Sequence, residues 1–146
     1  MSLSPISAPL RHALDYWQDR RDAAGGLPHR RDIDIAALKP CLGRMLLLEI
    51  ADPIEDSLYL VFGTVLVEYF NEELTKQRLG DTGGAKNRVL IEEYAEVVRT
   101  GAAMMFSNEP VIGGSAFCYE KMALPLLNDN GGIGYILAVI DQIDPR

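Results

Sequence analysis

Apolar positions along this chain recur first at helical spacing and then at strand spacing. Between Ala8 and Asp22, Leu10, Leu14 and Trp17 fall at i, i+4 and i+7 with Ala13 beside them, which predicts an amphipathic helix. Ser7 is placed to cap it, Pro9 suits its first turn, and Gly25-Gly26 stops it. A connector, Leu27-Pro28-His29-Arg30-Arg31-Asp32-Ile33-Asp34, leads to a short helical turn over Ile35 to Leu38 that Pro40 ends. Arg44 to Ala51 then reads as a strand apolar on both faces, and Ser57 to Gly63 as its hairpin partner beyond the Asp52-Pro53 break.

From Thr64 to Gly80 the pattern is helical in short pieces, through Leu66, Tyr69, Phe70, Leu74 and Leu79. After the loop Asp81-Thr-Gly-Gly84, Lys86 to Thr100 predicts a full helix. Leu90, Tyr94, Val97 and Val98 lie on one stripe of it, and Gly101 is its stop. Three strands close the chain, over about Ala102 to Ser107, Phe117 to Leu127 and Ile133 to Asp141. The last two are joined by Asn128-Asp-Asn-Gly-Gly132, whose residues accept positive φ at low cost.

An N-terminal hairpin and a C-terminal meander make a five-stranded antiparallel sheet, and the intervening helices pack on one face. This is an α+β architecture. Leu58, Leu60 and Phe62 alternate with Tyr59 and Val61, so neither side of the second strand is polar. The second sheet face therefore needs a cover. Two are available: the Trp17 helix of the same chain, or a second subunit against which that helix and the Leu58, Leu60, Phe62 face would pack in a homodimer. The organisation expected is a helix and connector over residues 1–43 and a core over 44–146, forming one structural unit.

Length and charge narrow the function. At 146 residues and 48% hydrophobic the chain suits one domain with a real core. Its net charge is −7, with residues 1–44 at +2 and the remainder at −9, and Arg20-Arg21 and Arg30-Arg31 are each flanked by Asp. Such a balance lacks the field that draws proteins onto nucleic acid or anionic membranes. Cys41 and Cys118 stand 77 positions apart without a CxxC pair, which supports neither a disulfide framework nor a zinc site. With no signal peptide and no apolar run of membrane-spanning length, the expectation is a soluble cytoplasmic protein.

The order of elements, together with Leu14-x-Tyr16-Trp17, Leu27-Pro28-x-Arg30-Arg31-Asp32-Ile33-Asp34, Leu42, Gly63-Thr64, Leu74-Thr75, Leu79-Gly80 and Leu124-Pro125-Leu126, resembles a PAS domain. The closer likeness is to a subfamily of small, often stand-alone PAS proteins known mainly from alphaproteobacteria, and it spans Leu10 to Asp141. Where that subfamily often carries Arg before Gly-Thr, this chain has Leu58 and Leu60, and its usual Gly near the short helices is absent around Tyr69-Phe70-Asn71-Glu72. The resemblance implies a PAS-like five-stranded antiparallel sheet with helices on one face and an N-terminal helical extension. It also implies a stand-alone sensory or regulatory module that binds a small, partly apolar molecule and signals through protein association. No output segment follows Asp141, so its target is expected to be another protein chain.

Candidate chemistry is sparse. His12 and His29 both precede the sheet, and Lys86 to Thr100 holds neither His nor Cys to ligate haem. Cys41 and Cys118 lie outside the short-helix region where a light-sensing flavin PAS carries its reactive Cys within Asn-Cys-Arg. Gly83-Gly84-Ala85-Lys86-Asn87 lacks the spacing of a phosphate-binding loop. The adjacent pairs Glu72-Glu73 and Glu92-Glu93 read as solvated faces, and no serine has a nucleophile-elbow context. The expectation is a non-enzyme with no metal site and no assigned cofactor. If a ligand cavity exists, alternation places Tyr59 and Val61 against Tyr69, Phe70, Tyr94 and Met104, with phenolic oxygens as its polar contacts. The same residues could instead fill a solid core, leaving a ligand-free interaction module, so both readings stay open.

Overall fold

The computed structural model describes residues 3–5, 7–82 and 87–143. Helix α1 (Ala8–Ala24) is followed by 3-10 turns at Arg30–Asp32 and Ile35–Arg44, then strand β1 (Met45–Glu49). A further turn at Ile54–Asp56 leads to β2 (Leu58–Phe62) and the two-turn helix α2 (Thr64–Phe70). Beyond a 3-10 turn at Leu79–Asp81 come α3 (Asn87–Thr100), β3 (Met104–Asn108) and a small hairpin of β4 (Val111–Ile112) and β5 (Ser115–Ala116). Strands β6 (Tyr119–Leu127) and β7 (Ile133–Gln142) complete the chain. The main sheet is antiparallel in the order β2-β1-β7-β6-β3. No helix among the described residues is long and apolar enough to cross a membrane.

Two cores lie back to back across this sheet. On one face Leu10, Ala13, Leu14 and Trp17 of α1 pack against Met45 and Leu47 of β1, Met122 and Leu124 of β6, and Val139 of β7. On the other, Leu66, Tyr94 and Val97 of α2 and α3 pack against Leu46, Leu48, Ala123, Ile136 and Ala138. The central strands alternate between these two cores residue by residue, which is why they read as continuous apolar runs. In this structure α1 covers the sheet of its own chain.

The turns between these elements have local physical reasons. Gly25 takes φ 71° and closes α1, its N–H bonding to Asp22 O. Tyr16 Oη accepts from the Asp34 N–H at 2.8 Å, and the Asp34 carboxylate accepts from Ala36 N–H at 3.0 Å, capping the following turn. A Cβ on Gly63 would overlap the Gly43 carbonyl, so the Gly63-Thr64 step admits no side chain while Gly63 N–H bonds Met45 O at 2.8 Å. Asn128 accepts from the N–H groups of Asn130 and Gly132 at 2.9 and 3.2 Å, holding the β6–β7 turn.

Strand β2 departs from simple alternation. Val61 pairs with Leu47 and Tyr59 with Leu48, so Leu60 has no partner and forms a bulge. The extra residue reverses the phase. Tyr59 and Phe62 both enter the α3-side core, while Val61 turns to the opposite face and is 41% exposed. The expected Leu58, Leu60, Phe62 face is thereby dispersed, since Phe62 is buried and Leu60 is 37% exposed on the bulge.

Two further expectations are corrected. Ser7 sits at the helix start without capping it, its hydroxyl donating instead to Asp141 Oδ2 at 2.7 Å. The turn that opens at Ile35 breaks at Leu38, as expected, but at a non-helical Leu38 (φ −101°, ψ 15°) rather than at Pro40, which lies inside a second 3-10 turn running on to Arg44.

Trp17 anchors α1. It is 2% exposed, and its indole N–H donates to Pro125 O at 3.0 Å. Strand β3 begins at Met104 opposite Ala123, so Pro125 lies outside the stretch of β6 that pairs with it. There the missing proline N–H costs no ladder bond, and the carbonyl on the same side is free for the indole. Trp17→Ala should cost about 3–5 kcal/mol of unfolding free energy, read as a lower urea midpoint. Trp17→Phe, which keeps most of the packing but loses the bond, should cost clearly less.

Candidate functional site

The short elements on the α3 face do not close over the sheet. Helix α2 has two turns and ends at Asn71, whose φ of 58° stops it, and α3 begins at Asn87. Between them, the sheet and the β4–β5 hairpin lies a cavity of about 360 Å³. Its floor is Leu46, Tyr59, Phe62 and Ile140 from the sheet. Phe70 and Leu74 form one wall, Leu90 and Tyr94 the other, and Tyr119 with Asn108 the third. Glu72, Glu109 and Val111 stand at its rim and are exposed.

Three of the six expected residues, Tyr59, Phe70 and Tyr94, line this cavity. Val61 does not, because the bulge turns it to the other face. Tyr69 packs its ring on Phe70 and Phe117 at 6.4 and 5.1 Å, while its hydroxyl donates to Asp141 Oδ1 at 2.9 Å. Met104 packs against the α3-side core without reaching the cavity. Sequence reasoning missed Phe62, which needed the bulge, and Tyr119, which follows from the alternation of β6 once Ala123 is placed on the α3 side.

The cavity's hydroxyls remain protonated at neutral pH. Burial pushes the Tyr59 and Tyr94 phenols upward, and it does the same, less strongly, for Tyr119. Each can donate as well as accept. Tyr119 Oη already accepts from Asn108 Nδ2 at 3.3 Å.

Behind Tyr94 lies an ion pair the sequence did not announce. Lys121 is fully buried; its Nζ donates to Glu93 Oε1 at 2.7 Å and sits 4.2 Å from the Tyr94 ring centroid and 5.5 Å from that of Phe106. Asn108 Nδ2 donates to the other Glu93 oxygen at 2.9 Å. Glu93, expected on a solvated face, is 10% exposed. The legible signal was Glu120-Lys121 within an otherwise apolar strand of a sheet covered on both sides. Glu93→Leu leaves the lysine unpaired and should cost about 3–5 kcal/mol. Glu93→Leu with Lys121→Met should recover most of that loss, both read by urea unfolding.

A second polar cluster joins the two layers at the sheet end. Asp141 accepts from Ser7 Oγ, Arg44 Nε at 2.9 Å and Tyr69 Oη, while Ser7 N–H donates to Glu120 Oε1 at 2.7 Å. Burial works to raise the Asp141 carboxyl, but the bonds from Ser7, Tyr69 and Arg44 outweigh it and hold it below its ordinary value of 3.8. A depressed carboxyl contributes stability above its unfolded value and loses it as pH falls through the folded one. The stability gap between wild type and Asp141→Asn should therefore be full at neutral pH. It should shrink only below the ordinary value, as unfolding midpoints across acid pH would show.

The remaining candidates lie elsewhere. Cys41 is buried in the α1-side core with its Sγ donating to Pro9 O at 3.2 Å, and burial pushes its thiol up to about 11. Cys118 is raised too, by desolvation and then by Glu109 beside it. Neither lines the cavity, so its walls offer no thiol to a bound flavin. His12 bonds Ala37 O at 2.7 Å and His29 faces Asp32 at 3.7 Å, both away from it. No metal-binding cluster occurs among the described residues. The segment Gly83-Gly84-Ala85-Lys86 lies outside them.

The PAS domain family model matches residues 6–140. The chain belongs to the PAS domain family. The five-stranded order of the main sheet, with α2 and α3 on one face, is the PAS fold, and α1 is its N-terminal extension. Solved structures of similar fold include a light-oxygen-voltage domain studied with a flavin analogue, at TM-score 0.57 and 12% identity over 75% of this chain and 84% of that one. The PAS domain of Bordetella pertussis BvgS aligns at TM-score 0.55 and 12% identity, covering 70% of this chain and 77% of that one. A sensory box sensor histidine kinase from Vibrio cholerae aligns at 0.54 and 9%, covering 88% and 99%. No curated protein matches the chain by sequence.

Proposed function

We propose that this PAS domain is a sensory module that binds a small, partly apolar molecule in the cavity between sheet and α3 and relays occupancy through protein association. The observation that carries the reading is the cavity itself: about 360 Å³, apolar on its floor, with a few convergent hydroxyl and amide groups. That volume lies at the lower end of the range for ligand sites and suits a compact molecule. Binding rather than catalysis fits the lining, because phenols, one amide and two rim carboxylates include no nucleophile paired with a base.

A relay is available at α2. Phe70 touches the cavity, and the adjacent Tyr69 holds Asp141, which also holds Ser7 at the start of α1. A ligand that displaces Phe70 would strain the Tyr69 bond and with it the seating of α1. The surface this would present includes Leu60 and Val61 on β2, at the sheet edge. A homodimer through that edge, or a partner chain docking on it, is the association we infer.

Native mass spectrometry of freshly purified protein tests the reading directly. A mass excess that disappears on denaturation identifies a bound compound, and the native mass gives the oligomer. A clean unliganded mass, with no compound recovered by extraction, would favour the ligand-free interaction module instead.

A further inference from the structure

The composition of the cavity wall specifies charge as well as size. Five aromatic rings face it, those of Tyr59, Phe62, Phe70, Tyr94 and Tyr119, while Glu72 and Glu109 stand at the rim. Among the described residues, no Lys, Arg or His lines it. Neither rim carboxylate forms an ion pair with a basic residue among those described. An aromatic face presents negative charge to a cation, and carboxylates at the rim add to it. The cationic neighbour, Lys121, lies behind Tyr94 and is neutralised by Glu93 at 2.7 Å, so it does not oppose a second positive charge. That pair also shows the domain already holding an ammonium against aromatic rings and one carboxylate. The net charge of −7 biases encounter the same way.

Resting on the reading of this cavity as a ligand site, we infer that its ligand is a compact organic cation with an apolar body. The body occupies the floor of Leu46, Phe62 and Ile140, and the ammonium lies between the ring of Tyr119 and the Glu72–Glu109 rim. A carboxylate or phosphate ligand is disfavoured there, because it would meet two carboxylates and no basic side chain among the described residues of the lining.

Three probes of matched shape separate charge from fit: 2-phenylethylammonium, 2-phenylethanol and 3-phenylpropanoate. Each is titrated into the full chain while backbone amide shifts of Tyr94, Glu109 and Tyr119 are followed by NMR. The cation should bind ~10-fold more tightly than the alcohol, with the anion weakest, and the margin should narrow as salt is raised. Glu72→Gln with Glu109→Gln, both on exposed positions, should remove most of the cation's margin over the alcohol, the aromatic rings keeping the remainder. Equal binding of cation and alcohol by wild type, or tighter binding of the anion, overturns the charge assignment while leaving the cavity as a ligand site. Failure of all three probes to move the cavity amides at tens of millimolar overturns both.

Discussion

Everything in this domain follows from a sheet that is apolar on both faces. Strands β1, β6 and β7 carry no polar side to present to water, so each face must be covered or the chain exposes a large apolar surface. The chain covers one face with a single long helix and the other with short helices and turns. That asymmetry sets where the core is solid and where it is hollow.

The segments that carry the PAS resemblance are mostly those that secure the covers. Tyr16 and Asp34 fix the connector, and Trp17 and Pro125 fix α1 to β6. Pro28 O accepts from Leu127 N–H at 2.9 Å, which ties the connector to the end of β6. Gly63 lets β2 pass close to Gly43. These are contacts between distant parts of the chain. None of these contacts touches the cavity, although Leu74 of the Leu74-Thr75 motif lines it. A signature built from these contacts specifies the fold and leaves most of the cavity lining free to vary.

The fold was legible in the sequence to within a few residues at most element ends, because helical and strand periodicities here are long and the breaks fall at Gly, Pro and Asn. The site was legible in half. Tyr59, Phe70 and Tyr94 were found because they obey the period of their elements. Val61 and Phe62 were exchanged because a one-residue bulge at Leu60 reverses a strand's phase and leaves no mark in composition. Glu93 was assigned to solvent because adjacent glutamates usually face it, and its partner Lys121 lies 28 residues away, where only the tertiary fold brings them together. The β4–β5 hairpin at the cavity mouth is two residues a side, too short for any period to register.

The hollow on the α3 side has a physical origin in the same asymmetry. A seventeen-residue helix such as α1 presents a continuous stripe, and Trp17 fills what the smaller residues leave. Helix α2 offers only seven residues before Asn71 ends it, and the chain then crosses in turns whose backbone must find hydrogen bonds of its own. Such segments cannot interdigitate at the density of a long helix on a sheet. The space they leave is walled by large aromatic rings, which hold their positions by edge-to-face contacts such as Phe70 on Tyr119 at 5.5 Å. A void bounded by rings and phenols, with carboxylates at its mouth, is not the same as a packing defect among aliphatic side chains.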